Sequence, residues 1–173
     1  TSSLKRCVAL GGAKNHLIVL PDAHVNMTAS NVVASMSGCA GQRCMAASVM
    51  VGVDAVQPII DKMCEDAKLI KPGENLGSVI SKEAKERIER YITEAEAAGA
   101  KILVDGRGAT VKGKEGGFYV GPTIIDYVTA DMKIAKEEVF GPVIAIVRAK
   151  DLDEALAIEN SSNYGNAAAV FTQ

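Results

Sequence analysis

Short apolar runs alternate along the chain with longer segments whose apolar residues recur every three or four positions. Apolar runs bounded by glycine, proline or aspartate are typical of buried strands, and they occur at 17–20, 47–53, 101–104, 118–120, 123–125, 143–147 and 167–171. The helical spacing predicts helices over 24–37, from 55 onward, over 82–98 and over 152–158. This alternation predicts an α/β fold with a mainly parallel sheet flanked by helices.

Capping residues set the predicted starts of the later helices. Ser81 and Asp151 precede helical segments, and their side-chain oxygens are suited to accept the free N–H groups of a first turn. Asp54 is predicted in the same way to cap a helix that begins at the next residue. The segment 106–117 is rich in glycine and lysine and is predicted to be an exposed hairpin or loop.

Composition limits the classes of partner. At 173 residues, 48% of them hydrophobic, the chain has the size and apolar content of one domain with a substantial core. A net charge of −2, spread along the chain, gives no reason to expect nucleic acid or an anionic membrane surface as partner. No run approaches the roughly 20 apolar residues of a membrane span, and the first ten residues lack a secretion signal. A small molecule is therefore the expected partner.

The cysteines indicate free thiols in a reducing compartment. Four cysteines at irregular spacing form neither a disulfide framework nor paired zinc-ligand motifs, so no metal site is predicted. One of them, Cys44, follows the predicted end of the first helix, where Gly38 and Gly41 interrupt the helical pattern. At the other end of this helix, Asp22 is available near its start. Arg43 beside it favours thiolate. From these features alone, a reactive nucleophile and a buried structural thiol are equally good interpretations.

Three motifs decide between the two interpretations. G-Q-R-C at 41–44, E-E-V-F-G-P at 137–142 and N-Y-G at 163–165 before A-A-A-V-F-T together resemble the aldehyde dehydrogenase superfamily over essentially the whole chain. The resemblance implies the family's catalytic domain, in which the loop cysteine attacks an aldehyde and a hydride leaves for NAD. Cys44 falls on that cysteine. The same resemblance implies that Glu138 holds the nicotinamide ribose and that Phe140 lies beside the nicotinamide. Without the resemblance, the preferred interpretation would be that Glu138 is a solvated surface residue and Phe140 a core residue.

One departure from the family pattern concerns the motif E-L-G-G-K, whose glutamate activates water to hydrolyse the thioester. The corresponding stretch here is 8–16, V-A-L-G-G-A-K-N-H, and the position of the base holds Leu10 or Ala9. Neither side chain takes a proton, so the thioester needs a better acceptor than water, and the thiol of coenzyme A is the expected one. His16 in this stretch is interpreted as a hydrogen-bonded structural residue rather than a base.

A narrower resemblance agrees with that expectation. A-K-N-H at 13–16 and G-Q-R-C-M-A at 41–46 are similar to the methylmalonate-semialdehyde dehydrogenases, the coenzyme A-acylating branch. The resemblance implies oxidation of methylmalonate or malonate semialdehyde to propionyl- or acetyl-coenzyme A. Such substrates carry a carboxylate, and Arg43 is the predicted bidentate clamp for it; the alternative is that Arg43 satisfies loop carbonyls. A hydrolytic semialdehyde dehydrogenase and a non-catalytic domain of the same family remain the competing hypotheses.

The resemblance also bears on domain organisation. Residues 1–173 correspond to the catalytic domain, and the family's NAD-binding domain and C-terminal oligomerisation segment are expected to be absent from this chain. The chain is therefore expected to be a fragment of a homo-oligomeric parent, inactive by itself. The parent is expected in the cytoplasm of a bacterium or in the mitochondrial matrix of a eukaryote.

Overall fold

A computed structural model describes residues 6–173 and contains one six-stranded sheet. Its order is β3-β4-β5-β2-β1-β6, and every neighbouring pair is parallel except β3 and β4. The strands are β1 His16–Val19, β2 Val49–Val53, β3 Lys101–Val104, β4 Thr123–Asp126, β5 Val143–Ala149 and β6 Ala168–Phe171. The predicted α/β fold with a mainly parallel sheet is confirmed.

Helices cover both faces of this sheet. They are α1 Val25–Ser37, α2 Gln57–Lys68, α3 Lys82–Ala97, α4 Lys133–Lys136 and α5 Leu152–Asn160. Helices α1 and α2 pack in one apolar core and α3, α4 and α5 in the other. Successive side chains of a strand point to opposite faces, so Val49 and Val51 enter one core while Met50 enters the other. The continuous apolar runs in the sequence reflect this burial on both faces.

Two of the predicted helix caps are confirmed. Ser81 Oγ accepts the Ala84 backbone N–H at 3.1 Å, and Asp151 Oδ1 accepts that of Glu154 at 2.8 Å. The prediction for Asp54 was wrong. Helix α2 begins at Gln57 after the N-cap Val56, whereas Asp54 lies in a left-handed turn with φ 50°.

The physical reason is that the chain must turn before α2 can begin. The Asp54 backbone N–H still donates to Ala149 O at 2.9 Å, next to the end of β5, so this residue belongs to the exit from the sheet. Pro58, whose ring fixes φ near the helical value, stands in the first turn of α2.

Other boundaries differ in detail from the predictions. His24 caps α1 through Nδ1, which accepts the Met27 backbone N–H at 3.3 Å. Asp22 instead accepts the Thr172 hydroxyl at 2.9 Å and so joins the start of α1 to the end of β6. The segment 106–117 is a loop of turns rather than a hairpin, and 118–120 was wrongly predicted as a strand. None of the helices found within residues 6–173 has the length and apolarity to cross a membrane.

Candidate active site

The loop before Cys44 is a left-handed turn that brings two sequence motifs together. Helix α1 runs into a 3₁₀ turn, Gly38–Gly41, in which Cys39 and Ala40 have φ of 53° and 54° and Gly41 has φ of 70°. A side chain at Gly41 would place its Cβ 1.9 Å from the carbonyl oxygen of Gly141. Glycine is required at position 41 both for its backbone angle and for this close approach. The G-Q-R-C motif is thereby packed against E-E-V-F-G-P.

Cys44 lies in the exposed part of this loop, just past the helix end, as predicted. Its backbone carbonyl oxygen accepts hydrogen bonds from two side-chain amides, Asn15 Nδ2 at 2.9 Å and Asn166 Nδ2 at 2.5 Å. The following residues are also fixed, because the Ala47 backbone N–H donates to Ser35 Oγ of α1 at 3.1 Å. The thiol is therefore accessible while its backbone is held.

A large open cleft of about 1110 Å³ contains the predicted nucleophile and both predicted cofactor contacts. Cys44, Glu138 and Phe140 line it, together with Leu10, Gly11, Gly12, Ala13, Arg87, Asn163, Tyr164, Gly165 and Asn166. Phe140 is 38% exposed and has φ 51°, so it is not the core residue of the alternative interpretation. Residues from all three family motifs thus meet at one surface.

One of the two positions that could correspond to the missing glutamate is also in this cleft. Leu10 lines it with 89% of the residue exposed, and Ala9 is exposed as well. Neither residue offers a group that could deprotonate water. The structure brings the apolar substitution and Cys44 to the same cleft.

Arg43 is not among the residues that line the large cleft. It lines a second opening of about 600 Å³, which Cys44 also lines. Its Nη2 donates to the carbonyl oxygens of Ala34 at 3.3 Å and Ser35 at 2.9 Å, near the end of α1. Arg43 thus makes the hydrogen bonds to backbone carbonyl oxygens that the alternative interpretation requires. Within residues 6–173, Nε and Nη1 of Arg43 donate to no protein acceptor. These donors are what a carboxylate on this side of Cys44 could use.

Several site residues were not predicted from the sequence. Arg87 of α3 lines the cleft and donates from Nη2 to Val139 O at 3.3 Å. Lys14 is 3% exposed, and burial lowers its pKa to about 7 although the charges of Glu138 and Glu137 act in the opposite direction. Its place two residues after the glycine pair, in the stretch that corresponds to E-L-G-G-K, is the sequence signal for this residue.

His16 behaves as a structural residue. It is buried in β1, and its Nδ1 lies 3.0 Å from Lys14 O and 3.1 Å from Glu159 Oε2. Burial lowers its pKa, while the hydrogen bond with the Lys14 backbone acts to raise it. The neutral imidazole is thus favoured at pH 7, and His16 is not among the residues that line the cleft with Cys44. Residues 6–173 contain no group of three or more His, Cys, Asp or Glu side chains suited to a metal ion.

Comparison with known proteins agrees with this geometry. A sequence profile of the aldehyde dehydrogenase family matches residues 1–173. The chain belongs to the aldehyde dehydrogenase family.

Among individual relatives, the chain is similar to the mitochondrial acylating methylmalonate-semialdehyde dehydrogenase of Arabidopsis thaliana, with 48% identity over 97% of the chain and 29% of the relative. The crystal structure of a methylmalonate-semialdehyde dehydrogenase from Oceanimonas doudoroffii superposes with a TM-score of 0.94 at 40% identity, over 99% of this chain and 37% of that one. A Sinorhizobium meliloti protein assigned to the same enzyme type and complexed with NAD gives a TM-score of 0.90 at 40% identity, over 94% and 35%. The chain thus spans about a third of these relatives.

Proposed function

We propose that this chain forms the catalytic domain of an NAD-dependent enzyme that oxidises methylmalonate or malonate semialdehyde and transfers the acyl group to coenzyme A. The observation that carries the proposal is the large cleft. It joins Cys44 to Glu138 and Phe140, and it also contains Leu10, which with Ala9 is one of the two residues that align with the general base of hydrolytic family members. The similarity to acylating methylmalonate-semialdehyde dehydrogenases supports the choice of substrate and acceptor.

Cys44 is the proposed nucleophile. Its thiolate adds to the aldehyde carbon and forms a tetrahedral hemithioacetal on the sulfur. Loss of a hydride from this adduct, for which NAD would be the acceptor, would leave a thioester on Cys44. The exposed position of the thiol at the junction of two openings allows an aldehyde to approach from one side and a cofactor from the other. The bond between the α-carbon and the substrate carboxylate then breaks. The carboxylate leaves as carbon dioxide or, with water, as bicarbonate, and a proton from solvent takes up the electron pair left on the α-carbon, which gives the propionyl or acetyl group.

The residues around the large cleft fit a nicotinamide cofactor. Glu138 offers a carboxylate that can accept hydrogen bonds from ribose hydroxyls. The partly exposed ring of Phe140 offers a flat apolar surface in the same cleft. NAD supplies the hydride acceptor when it is bound. Glu138 and Phe140 then serve to hold and orient it against Cys44.

Coenzyme A is the proposed acyl acceptor because neither Ala9 nor Leu10, the two residues that align with the family's general base, can activate water. A thiol is already a few per cent thiolate at neutral pH and attacks a thioester without a general base. Attack of the coenzyme A sulfur on the carbonyl carbon breaks the bond to Cys44 Sγ and regenerates the thiolate. Lys14 is not assigned the role of a base, since it is buried and is not among the residues that line the cleft.

Arg43 is proposed to bind the substrate carboxylate with the donors that its contacts with α1 leave free. Its Nη2 contacts with Ala34 and Ser35 hold the guanidinium beside Cys44 in the second opening. We expect Arg43→Leu in the intact enzyme to lower kcat/KM for the semialdehyde acid by about 10- to 100-fold, the worth of a charged hydrogen bond, and to leave propanal almost unchanged.

The control is Arg43→Lys, which keeps the charge but offers neither the carbonyl contacts nor a bidentate fork in the same geometry. An equal loss for both aldehydes in Arg43→Leu would assign Arg43 to support of the loop. No loss for either aldehyde would show that Arg43 does not bind the substrate carboxylate.

The central experiment is NADH formation by the intact enzyme with methylmalonate semialdehyde, with and without coenzyme A, alongside Cys44→Ala. The proposal expects turnover that depends on coenzyme A, an acyl-coenzyme A product and an inactive variant. Equal turnover without coenzyme A and release of free acid would identify a hydrolytic enzyme. No turnover together with a Cys44 thiol that is no more reactive than that of Cys64 would identify a non-catalytic domain.

The proposal extends to the remainder of the protein. By similarity to the family, the main NAD-binding domain and the segment that builds a homo-oligomer lie outside residues 1–173. The compartment follows from the source, since the relatives include mitochondrial proteins of eukaryotes and proteins of Bacillus species. The sole partner proposed for the site itself is the small-molecule semialdehyde with its cofactor and acceptor.

A further inference from the structure

Helix α3 holds the loop that carries both proposed cofactor contacts. Tyr91 Oη donates a hydrogen bond to Glu137 Oε2. One turn earlier on the same helix, Arg87 Nη2 donates to Val139 O at 3.3 Å. The two contacts lie on either side of Glu138 in the sequence. Helix α3 thus anchors the chain immediately before and immediately after this proposed cofactor residue.

The loop alternates between α3 and the cleft. Glu137 has φ of −100° and ψ of 150°, and in such an extended chain neighbouring side chains point to opposite sides. The side chain of Val139 is buried in the apolar core that α3 helps to form, whereas Glu138 and Phe140 line the cleft. The side chain that Tyr91 holds therefore decides which way Glu138 faces.

The Glu138 side chain makes no hydrogen bond to any protein group within residues 6–173, so its direction is set by its backbone. Phe140 has φ 51°, a left-handed angle that is uncommon for a residue with a side chain and that the surroundings must maintain. The next residue, Gly141, lies against α3, since a Cβ there would be 2.6 Å from Ile88 Cδ1. The backbone that presents the two cofactor contacts thus depends on α3.

Tyr91 is a well-held donor. It is 8% exposed, its ring packs in the apolar core, and Lys133 Nζ lies 5.3 Å from the centre of that ring. Burial raises the pKa of Tyr91 to about 12, and the Glu137 carboxylate acts in the same direction, so the hydroxyl keeps its proton at neutral pH. The Glu137 backbone N–H donates to Lys133 O at 2.8 Å. Glu137 is therefore fixed through its backbone and its side chain.

We infer that Tyr91 is a positioning residue, whose hydrogen bond to Glu137 sets the direction in which the adjacent Glu138 faces the nicotinamide cofactor. The inference rests on the proposed function, in which Glu138 and Phe140 hold NAD against Cys44. Hydride transfer requires close and correct alignment of two carbon atoms, so a displaced loop slows the chemical step more than it weakens binding. Tyr91 is not among the residues that line the cleft and acts through the loop.

Four variants of the intact enzyme isolate this contact. Tyr91→Phe deletes the hydroxyl and keeps the ring in the core. The matched control is Tyr119→Phe, because Tyr119 is also 8% exposed and its hydroxyl has no hydrogen-bond partner among residues 6–173. Glu137→Ala removes the acceptor, whereas Glu137→Gln keeps a carbonyl oxygen that can accept the hydroxyl. Arg87 is left unchanged, since it lines the cleft and its loss would alter the site directly.

The measurement is the pre-steady-state burst of NADH, with the Kd for NADH obtained in parallel from its fluorescence. The inference expects Tyr91→Phe and Glu137→Ala each to lower the burst rate by about 10- to 100-fold and to raise the Kd by less than about threefold. Their double variant should be no slower than either single variant, because both changes break the same contact. Glu137→Gln should stay within about fivefold of the wild type and Tyr119→Phe should match it.

Each other outcome overturns the inference. A wild-type burst rate in folded Tyr91→Phe does so, and so do losses that multiply in the double variant, which would show that the two side chains act independently. An equal loss in Tyr119→Phe would assign the effect to the core in general. Thermal unfolding checks each fold, and if Tyr91→Phe does not fold, Glu137→Ala at an exposed position decides.

The same samples distinguish failure of the inference from failure of the proposed function. A wild-type enzyme that reduces no NAD, or activity that persists in Cys44→Ala, refutes the proposed function and the inference with it. An inactive Cys44→Ala beside a fully active Tyr91→Phe refutes the positioning role alone.

Discussion

At the scale of single residues, Lys14 couples the fold to pH. Burial lowers its pKa from 10.5 to about 7, despite the opposing charges of Glu138 and Glu137. Between pH 7 and 10.5 the unfolded chain therefore binds a proton at this position that the folded chain does not bind. The free energy of unfolding should rise with pH across this window, by at most about 1.4 kcal/mol per pH unit from this one residue.

Urea unfolding of the wild type and of Lys14→Met at pH 7, 8 and 9 measures this contribution. Subtraction of the two curves removes the effects of other groups, such as Cys64, whose pKa is raised by burial. We expect the wild type to gain stability relative to Lys14→Met as the pH increases. The control is Lys112→Met in the exposed loop. If the difference between wild type and Lys14→Met stays constant over this range, Lys14 is charged in the folded protein.

Residues of the site were predictable from the sequence where motifs carry them. Motifs identify Cys44, Glu138 and Phe140, and these three residues line one cleft. The contact of Asn166 with Cys44 could not be predicted, because it joins residues 122 positions apart and exists only once β6 lies beside β1. The contacts of Arg43 with α1 depend likewise on the left-handed turn that reverses the chain between them.

At the scale of elements, α3 shows how a local signal fixes a helix that reaches the site. Ser81 Oγ caps its first turn at 3.1 Å from the Ala84 N–H, and the same helix carries Arg87 to the cleft. We expect Ser81→Ala to lower the free energy of unfolding by about 1 kcal/mol, because the capped N–H loses its acceptor. The control is Ser78→Ala in the preceding loop. Equal urea midpoints for wild type and Ser81→Ala would show that water replaces the cap.

Most elements were predictable because burial on both sheet faces leaves long apolar runs, and because a cap such as Asp151 acts within its own first turn. The exceptions have a common cause in long-range contact. Asp54 was wrongly predicted to cap α2, because its backbone N–H donates to Ala149 O of β5 where the chain leaves β2. Helix α4 has four residues, too few to show a helical period, and the antiparallel pairing of β3 with β4 has no signal within either strand.

At the scale of the whole molecule, the candidate site is an open surface rather than an enclosed one. Leu10, Phe140 and Tyr164 expose large parts of their apolar side chains along the cleft, and Met45 is 63% exposed beside the second opening. Exposed apolar surface of this kind usually has a partner. The chain spans about a third of the length of its relatives. The other two thirds of such a protein are long enough to cover the cleft.

The 173-residue chain by itself should therefore form NADH at less than about 1% of the rate of the intact enzyme, because a cofactor that is not held in the right orientation against Cys44 loses most of the rate advantage of proximity. Its Cys44 should nevertheless react with iodoacetamide faster than Cys64, because Cys44 is exposed whereas burial raises the pKa of the Cys64 thiol. Mass spectrometry of the alkylated peptides and NADH absorbance measure the two quantities on one sample. Robust NADH formation by the chain alone would mean that residues 1–173 hold and orient the cofactor without help, and the proposed division of labour between domains would then be wrong.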